Sequence, residues 1–151
     1  MLKKFDVIII GAGAAGMMSA IEAAKRGRKV LLVDHYKKIG EKIRISGGGR
    51  CNFTNINTNP SKFLSQNPKY VRSALSQYTQ NDFINLIKKH EIDFHEKKLG
   101  QLFCDHSAQQ IVEMLLKECE LANVTILKEF IVKDVSKDND QYLVSTETEQ
   151  Y

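Results

Sequence analysis

The first sixteen residues restrict the possible folds of this chain more than anything that follows. Phe5-Asp6-Val7-Ile8-Ile9-Ile10 runs straight into Gly11-Ala12-Gly13-Ala14-Ala15-Gly16, and a second apolar run ends in Asp34. A near-continuous β-branched run is what a parallel strand buried on both faces requires. Each glycine of the turn meets a separate demand. Gly11 permits a sharp turn off the strand, Gly13 lets backbone approach phosphate oxygens, and Gly16 lets the next helix pack close to the strand. The N–H groups at that helix's start then face an anion, favoured by the helix dipole. The turn from Gly11 to Gly16, with Ala12, Ala14 and Ala15 inside it, is therefore read as pyrophosphate-binding. Strand, turn, helix and acidic residue together describe a dinucleotide site.

The βαβ reading continues on both sides of the turn. Residues 5–10 form the first strand. Ala14 to Arg26 form a helix with Met18, Ile21 and Ala24 at helical spacing and Gly27 as its stop, and Lys29 to Asp34 form a second parallel strand. Beyond it, residues 37–60 show no amphipathic period and are crowded with Gly, Ser, Asn and a Pro, which predicts an extended, functional loop. Pro68 to Tyr78 and Asn81 to His90 read as helices, the second with Thr79 as N-cap and Asp82 in its first turn. Ile92 to Glu96 and Gln101 to Cys104 pair as short strands around Gly100. Ser107 and Gln110 open a helix to about Ala122 whose Ile111, Leu115, Cys119 and Ala122 mark the core side. Val124 to Leu127 supplies a third parallel strand. Phe130 to Val135 and Gln141 to Thr146 flank a polar turn at 137–140, a C-terminal hairpin. The expected class is α/β, a Rossmann-like parallel sheet, incomplete, with a helical segment and a hairpin. Its segments are 1–35 for ADP, 36–60 for the glycine-rich loop, 61–106 helical, and 107–151 for the last helix, strand and hairpin.

A length of 151 residues suits one domain with one core. The apolar fraction of 42% and charged fraction of 26% are those of a soluble globular protein, and a net charge of +4 is too modest to argue for nucleic acid or an anionic membrane. Neither is expected as a partner. Cys51, Cys104 and Cys119 are widely spaced without a C-x-x-C pair, which suits a reducing cytoplasm. Lys3-Lys4 ahead of an apolar stretch imitates a secretion signal, but Asp6 interrupts it. No run of 18 apolar residues exists, so no membrane span is expected.

Asp34 stands where a carboxylate accepts hydrogen bonds from a ribose and would repel a 2′-phosphate, which disfavours NADP. NAD and FAD share this half of the site, so the segment after the second strand has to distinguish them. That segment carries Gly40-Glu41-Lys42 and Ile45-Ser46-Gly47-Gly48-Gly49-Arg50-Cys51-Asn52-Phe53-Thr54-Asn55. With the Gly11 to Gly16 turn and Asp34, it resembles a family of FAD-dependent oxidoreductases of the glutathione-reductase-like superfamily, the group of aminoacetone oxidase and a flavoprotein of bile-acid reduction. Gly100 to Cys104, the helix from Ser107 and the strands of Val124 and Val132 look like that family's next blocks. Cys104 and Gln101 depart from it, standing where the family more often has proline and arginine. The resemblance implies FAD as cofactor, hydride transfer at flavin N5, a small-molecule substrate, and nicotinamide or oxygen as redox partner. It covers the N-terminal portion of such an enzyme, ahead of a second FAD motif.

Three consecutive glycines can expose several backbone N–H groups to a pyrophosphate or flavin edge. Together with what the resemblance implies, the expected cofactor-binding set is Gly11 to Gly16, Asp34, His35, Lys42, Ser46, Gly47, Gly48, Gly49, Arg50, Cys51 and Val132. Lys42 or Arg50 is expected at phosphate or flavin, where a cation stabilises the reduced ring, and Arg44 is read as solvated. Cys51, beside Arg50, could have a lowered pKa and act in redox chemistry, or could be a small packed residue; Cys104 and Cys119 are read as core. His90 and His95 bracket Glu91 with one residue too many for a helical zinc pair, and no metal site is expected. Tyr78 and His106 could be active-site or surface residues. No side chain stands out as a general acid or base. Three functions remain: an FAD-dependent oxidoreductase, an NAD-binding Rossmann enzyme, and a truncated, non-catalytic FAD-binding module.

Overall fold

A computed structural model describes residues 3–151. In chain order its elements are β1 (Val7–Ile10), α1 (Ala14–Lys25), β2 (Val30–Val33), α2 (Glu41–Ile45) and β3 (Asn52–Asn55). Next come α3 (Arg72–Gln77), α4 (Gln80–Lys89), β4 (Phe94–Glu96), β5 (Gln101–Cys104) and α5 (Gln109–Leu121), then β6 (Thr125–Leu127), β7 (Asp134–Asp138) and β8 (Gln141–Ser145). The single core expected from length is replaced by two compact units. One comprises the described residues to Lys42 together with Leu115–Tyr151, the other Ile43–Met114.

The first unit is the expected parallel βαβ arrangement. β1 runs beside β2 with Val7 opposite Val30 and Ile10 opposite Val33, and β6 lies on the far side of β2 with Leu31 opposite Thr125, giving the order β1-β2-β6. All four residues of β2 are buried. β1 is not fully buried as its composition suggests: Val7, Ile8 and Ile9 are half-buried and Ile10 is 56% exposed, and among the described strands β1 is paired along one edge only. Helix α1 buries Met17, Ala20 and Ile21. Leu31, Val33, Phe130, Val144 and Tyr151 form a core cluster against which Phe5, Ile8, Leu127 and Val132 pack. The expected strand from Phe130 begins only at Asp134, because Phe130 turns into that core and its N–H bonds the Asp34 carbonyl at 2.9 Å. Asp138 pairs with Gln141, leaving Asn139-Asp140 as a two-residue hairpin turn with Asn139 at φ 54°.

The second unit carries an antiparallel sheet of order β3-β5-β4. Here the extended loop expected over 37–60 is corrected. It folds as α2, a 3-10 turn at Ser46–Gly49, and strand β3. Phe53 supplies the reason: its ring meets Phe94 edge-on at 5.5 Å and Phe83 at 6.1 Å, so a locally polar stretch is held by distant aromatics. The helix expected from Pro68 starts at Arg72, after turns in which Tyr70 N–H bonds the Asn67 carbonyl and Arg72 N–H that of Lys69. At α4 the Thr79 and Asp82 side chains cap each other's backbone N–H, at 2.7 Å for Thr79 N to Asp82 Oδ2, and the Thr79 backbone bond holds the Asp82 carboxyl below its usual range. Ser107 Oγ accepts from Gln109 N at the start of α5. Ile111, Leu115 and Cys119 are buried as expected, whereas Ala122, beyond the helix end, is half-buried. No helix of the described residues is long and apolar enough to cross a membrane.

Candidate functional site

The turn between β1 and α1 is drawn tight by its backbone. Gly11 sits at φ 106° and donates to the Val33 carbonyl at 2.8 Å. A Cβ on Gly16 would lie 1.8 Å from the Gly11 oxygen, so only glycine lets α1 approach this closely. Around Gly13, by contrast, a Cβ would meet nothing within 4 Å. Gly13 is the N-cap and has no side chain to close the first turn, the turn holds no acidic residue, and Gly13, Ala14 and Ala15 are exposed. The first N–H groups of a helix have no intrahelical partner. Here they belong to exposed residues at the positive end of a 12-residue helix.

Asp34 closes the site from the end of β2. Its Oδ2 accepts from Ala12 N at 2.7 Å and its Oδ1 from Tyr36 N at 2.9 Å. Each carboxylate oxygen accepts more than one donor, so capacity remains for a diol. Gly40 N–H bonds the Ala12 carbonyl at 3.1 Å and anchors the segment after β2 to the same turn. His35 lies 3.5 Å from Asp34 through Nδ1, but its ring is exposed and lies tilted against that of Tyr36 at 42°. Lys42 is exposed, and Val132 packs on the core cluster. Uncrowded space at Gly11 and Gly13, exposed residues at the helix start and a carboxylate with spare acceptor capacity fit a dinucleotide diphosphate and its ribose.

In the second unit, Gly47, Gly48 and Gly49 take φ of 57°, 67° and 82°. Ser46 Oγ donates to the Ile43 carbonyl at 2.7 Å, its own carbonyl accepts from Cys51 N at 3.1 Å, and Gly49 O accepts from Ala108 N at 2.7 Å. The two central glycines differ. A Cβ on Gly47 would sit 2.7 Å from Asn52 N and 2.8 Å from the Phe103 ring, while one on Gly48 meets nothing within 4 Å. Gly48→Ala should therefore cost only the left-handed strain, about 1 kcal/mol, and Gly47→Ala at least 2 kcal/mol more through overpacking. Urea melts of both variants check the difference; equal losses would contradict this packing.

The cations of this loop are corrected in part. Arg44, read as solvated, is half-buried and donates from Nε to Gln109 Oε1 at 2.8 Å. Arg50 is exposed and donates from Nη1 to the Asp105 carbonyl at 2.5 Å, while its own carbonyl accepts from Cys104 N. Cys51 does not have a lowered pKa. The thiol is 6% exposed and burial pushes it up, more than a Ser46 hydrogen bond lowers it; burial also pushes Cys104 and Cys119 to about 11. A folded-state pKa above the usual 8.5 keeps these groups as thiols at pH 8. Native protein should accordingly leave all three cysteines unlabelled by DTNB at pH 8, and denatured protein should titrate three; rapid labelling of one native thiol would contradict the burial.

His90 and His95 fall on different elements, His90 at the end of α4 and His95 in β4. His95 Nδ1 lies 2.6 Å from Asp105 Oδ1, and His106 Nε2 lies 3.8 Å from Asp93 Oδ2. The β4-β5 ladder brings His95 and Asp105 together, and no spacing along the chain signals it. Among the described residues no group of three or more His, Cys, Asp or Glu could hold a metal ion.

Residues 5–151 match the HI0933-like protein Rossmann domain. This chain belongs to that family. It is 58% identical over 137 residues to the ribosomal RNA dihydrouridine synthase of Escherichia coli, and 53% identical over 135 residues to that of Haemophilus influenzae. These matches cover 91% and 89% of this chain and 34% of each relative, so the chain spans about a third of their length. The 3-dehydro-bile acid delta(4,6)-reductase of Clostridium scindens is more distant, at 30% over 115 residues, 75% of this chain and 28% of that protein. The fold is shared with a 3-ketosteroid-delta4-(5alpha)-dehydrogenase from Rhodococcus jostii, at TM-score 0.65 and 12% identity over 97% of this chain and 43% of the other. It is also shared with the halogenase PltM in complex with phloroglucinol and FAD, at TM-score 0.56 and 18% identity over 99% and 33%. The expected α/β class is thus the observed one.

Proposed function

We propose that this chain is the part of an FAD-dependent oxidoreductase that holds the ADP half of FAD, in an enzyme that forms dihydrouridine in ribosomal RNA. The observation that carries the cofactor is the pairing of an uncapped, acid-free helix N-terminus with the Asp34 carboxylate, already ordered by Ala12 N–H at 2.7 Å. In this reading Gly13, Ala14 and Ala15 offer N–H groups to the diphosphate and Asp34 accepts the ribose hydroxyls. FAD bound there supplies hydride transfer at N5. The substrate comes from the 58% identity to a ribosomal RNA dihydrouridine synthase, and it replaces the small molecule expected from the sequence. A nicotinamide would deliver the electrons, and oxygen would compete for them. A reducing cytoplasm is the compartment proposed, since all three cysteines are free and buried.

Two measurements test this. Calorimetric titration should show FAD bound and NAD bound far more weakly; NAD binding in preference to FAD would overturn the cofactor. Ribosomal RNA from cells lacking the gene, incubated with the FAD-loaded full-length protein and reduced nicotinamide, should gain dihydrouridine by mass spectrometry. RNA left unmodified would overturn the substrate.

A further inference from the structure

The net charge of +4 conceals an uneven distribution. Residues 42–81 carry Lys42, Arg44, Arg50, Lys62, Lys69 and Arg72 and no Asp or Glu, so this stretch is +6 and the rest of the chain −2. With 18 acidic residues in 151, about five would be expected in any forty. A solvated face ordinarily intersperses both signs; this one does not.

Within the second unit, the segment between β3 and α3 displays that charge beside exposed apolar side chains. Lys62, Lys69 and Arg72 are exposed, Leu64 is 95% exposed, and Tyr70 is 58% exposed. Two clefts share the Phe63 ring as a wall, one of about 510 Å³ with Lys62 and Asn57, the other of about 400 Å³ with Leu64 and Arg72. The segment is held in shape by its own polar groups. Asn59 Oδ1 accepts from Ser61 N at 3.0 Å, Asn57 N donates to Asn55 Oδ1 at 2.8 Å, and Asn67 Oδ1 accepts from Lys69 N. Hydrogen-bonded turns do here what a core would do elsewhere, which leaves the cations and the rings on the surface.

We infer that residues 55–72 form a docking surface for single-stranded RNA, with Lys62, Lys69 and Arg72 on phosphates and Tyr70 as a platform for an unpaired base. Charge complementarity selects a polyanion, and a flat ring among cations is how single strands are held without sequence readout. The inference rests on the proposal that the substrate is ribosomal RNA.

The test is fluorescence anisotropy of a labelled oligouridylate with the FAD-loaded full-length protein over a salt series. The variant Lys62→Ala/Lys69→Ala/Arg72→Ala should lose about 2 from the slope of log affinity against log salt and about 100-fold in affinity at 0.1 M, from three single-strand phosphate contacts. Tyr70→Ala should lose about tenfold at all salts. Lys128→Ala/Lys133→Ala/Lys137→Ala removes the same charge from the other unit and should change affinity less than threefold. Flavin content and circular dichroism confirm that each variant is folded. Equal losses in both triple variants, no loss in the first, or binding to phosphatidylserine vesicles in place of RNA would overturn the surface. Dihydrouridine formation with undiminished RNA affinity in the first variant sinks this inference alone. RNA bound through these residues without dihydrouridine formation sinks only the substrate reading.

Discussion

Gly16→Ala should unfold the turn between β1 and α1. The added Cβ would lie 1.8 Å from the Gly11 carbonyl oxygen and 3.0 Å from its carbon, both backbone atoms, so no side chain can rotate away. Relief requires α1 to move off β1, which separates Met17, Ala20 and Ile21 from the strands they cover. Overpacking of this kind costs on the order of 3 kcal/mol. In a chain of this size that is a fall in melting temperature of roughly 6–12 °C. FAD affinity should fall with it by at least tenfold, since the same displacement moves the N–H groups at the helix start. Differential scanning calorimetry and FAD titration read the two effects. A variant that melts with the parent and binds FAD equally would refute the close approach. Gly13→Ala, with nothing within 4 Å of its Cβ, should leave the melting temperature nearly unchanged, so any loss of FAD affinity there reports crowding of the ligand.

Asp34→Ala should be nearly as damaging, by a different route. Ala12 is fully buried and its N–H has the Asp34 carboxylate as acceptor at 2.7 Å; Tyr36 N–H has it at 2.9 Å. Truncation strands a buried donor, which costs about 1–3 kcal/mol, and removes a charged acceptor from the ribose, about 1.5–3 kcal/mol of binding. The FAD dissociation constant should therefore rise by about 10–150-fold. Asp34→Asn keeps one acceptor oxygen and should fall between the two. Equilibrium urea unfolding separates the stability loss from the binding loss. Asp34→Ala that retains parental FAD affinity would remove this residue from the cofactor site.

Much of the first unit was legible from residues 5–34 because its determinants are local. β-branched runs, glycines at fixed offsets and a helix between them lie within one βαβ unit, and the parallel direction of the strands follows from the alternation of strand and helix. The caps at Thr79 and Ser107 were legible for the same reason, since each joins residues three apart or fewer. The 37–60 segment was misread because its order comes from elsewhere: β3 exists through its pairing with β5 and the contact of Phe53 with Phe83 and Phe94. Arg44 appeared solvated because its partner Gln109 is 65 residues away. Cys51 appeared activated because Arg50 adjoins it in sequence, whereas the folded chain buries the thiol and turns the guanidinium to the Asp105 carbonyl. Charge was read as a total, and the total hid an acid-free stretch.

The fold class and the position of the glycine turn were legible in residues 5–34, because Gly11 at φ 106° and the close approach at Gly16 are demands of the local strand–turn–helix backbone. The role of each group was set by the fold. It gave Asp34 its first duty, to hold Ala12 N–H, made Gly47 a packing requirement and Gly48 an open one, and paired His95 with Asp105 across a strand ladder. Those assignments depend on atoms brought together from distant positions, and burial and hydrogen bonding, which fix a side chain's chemistry, are properties of that assembly.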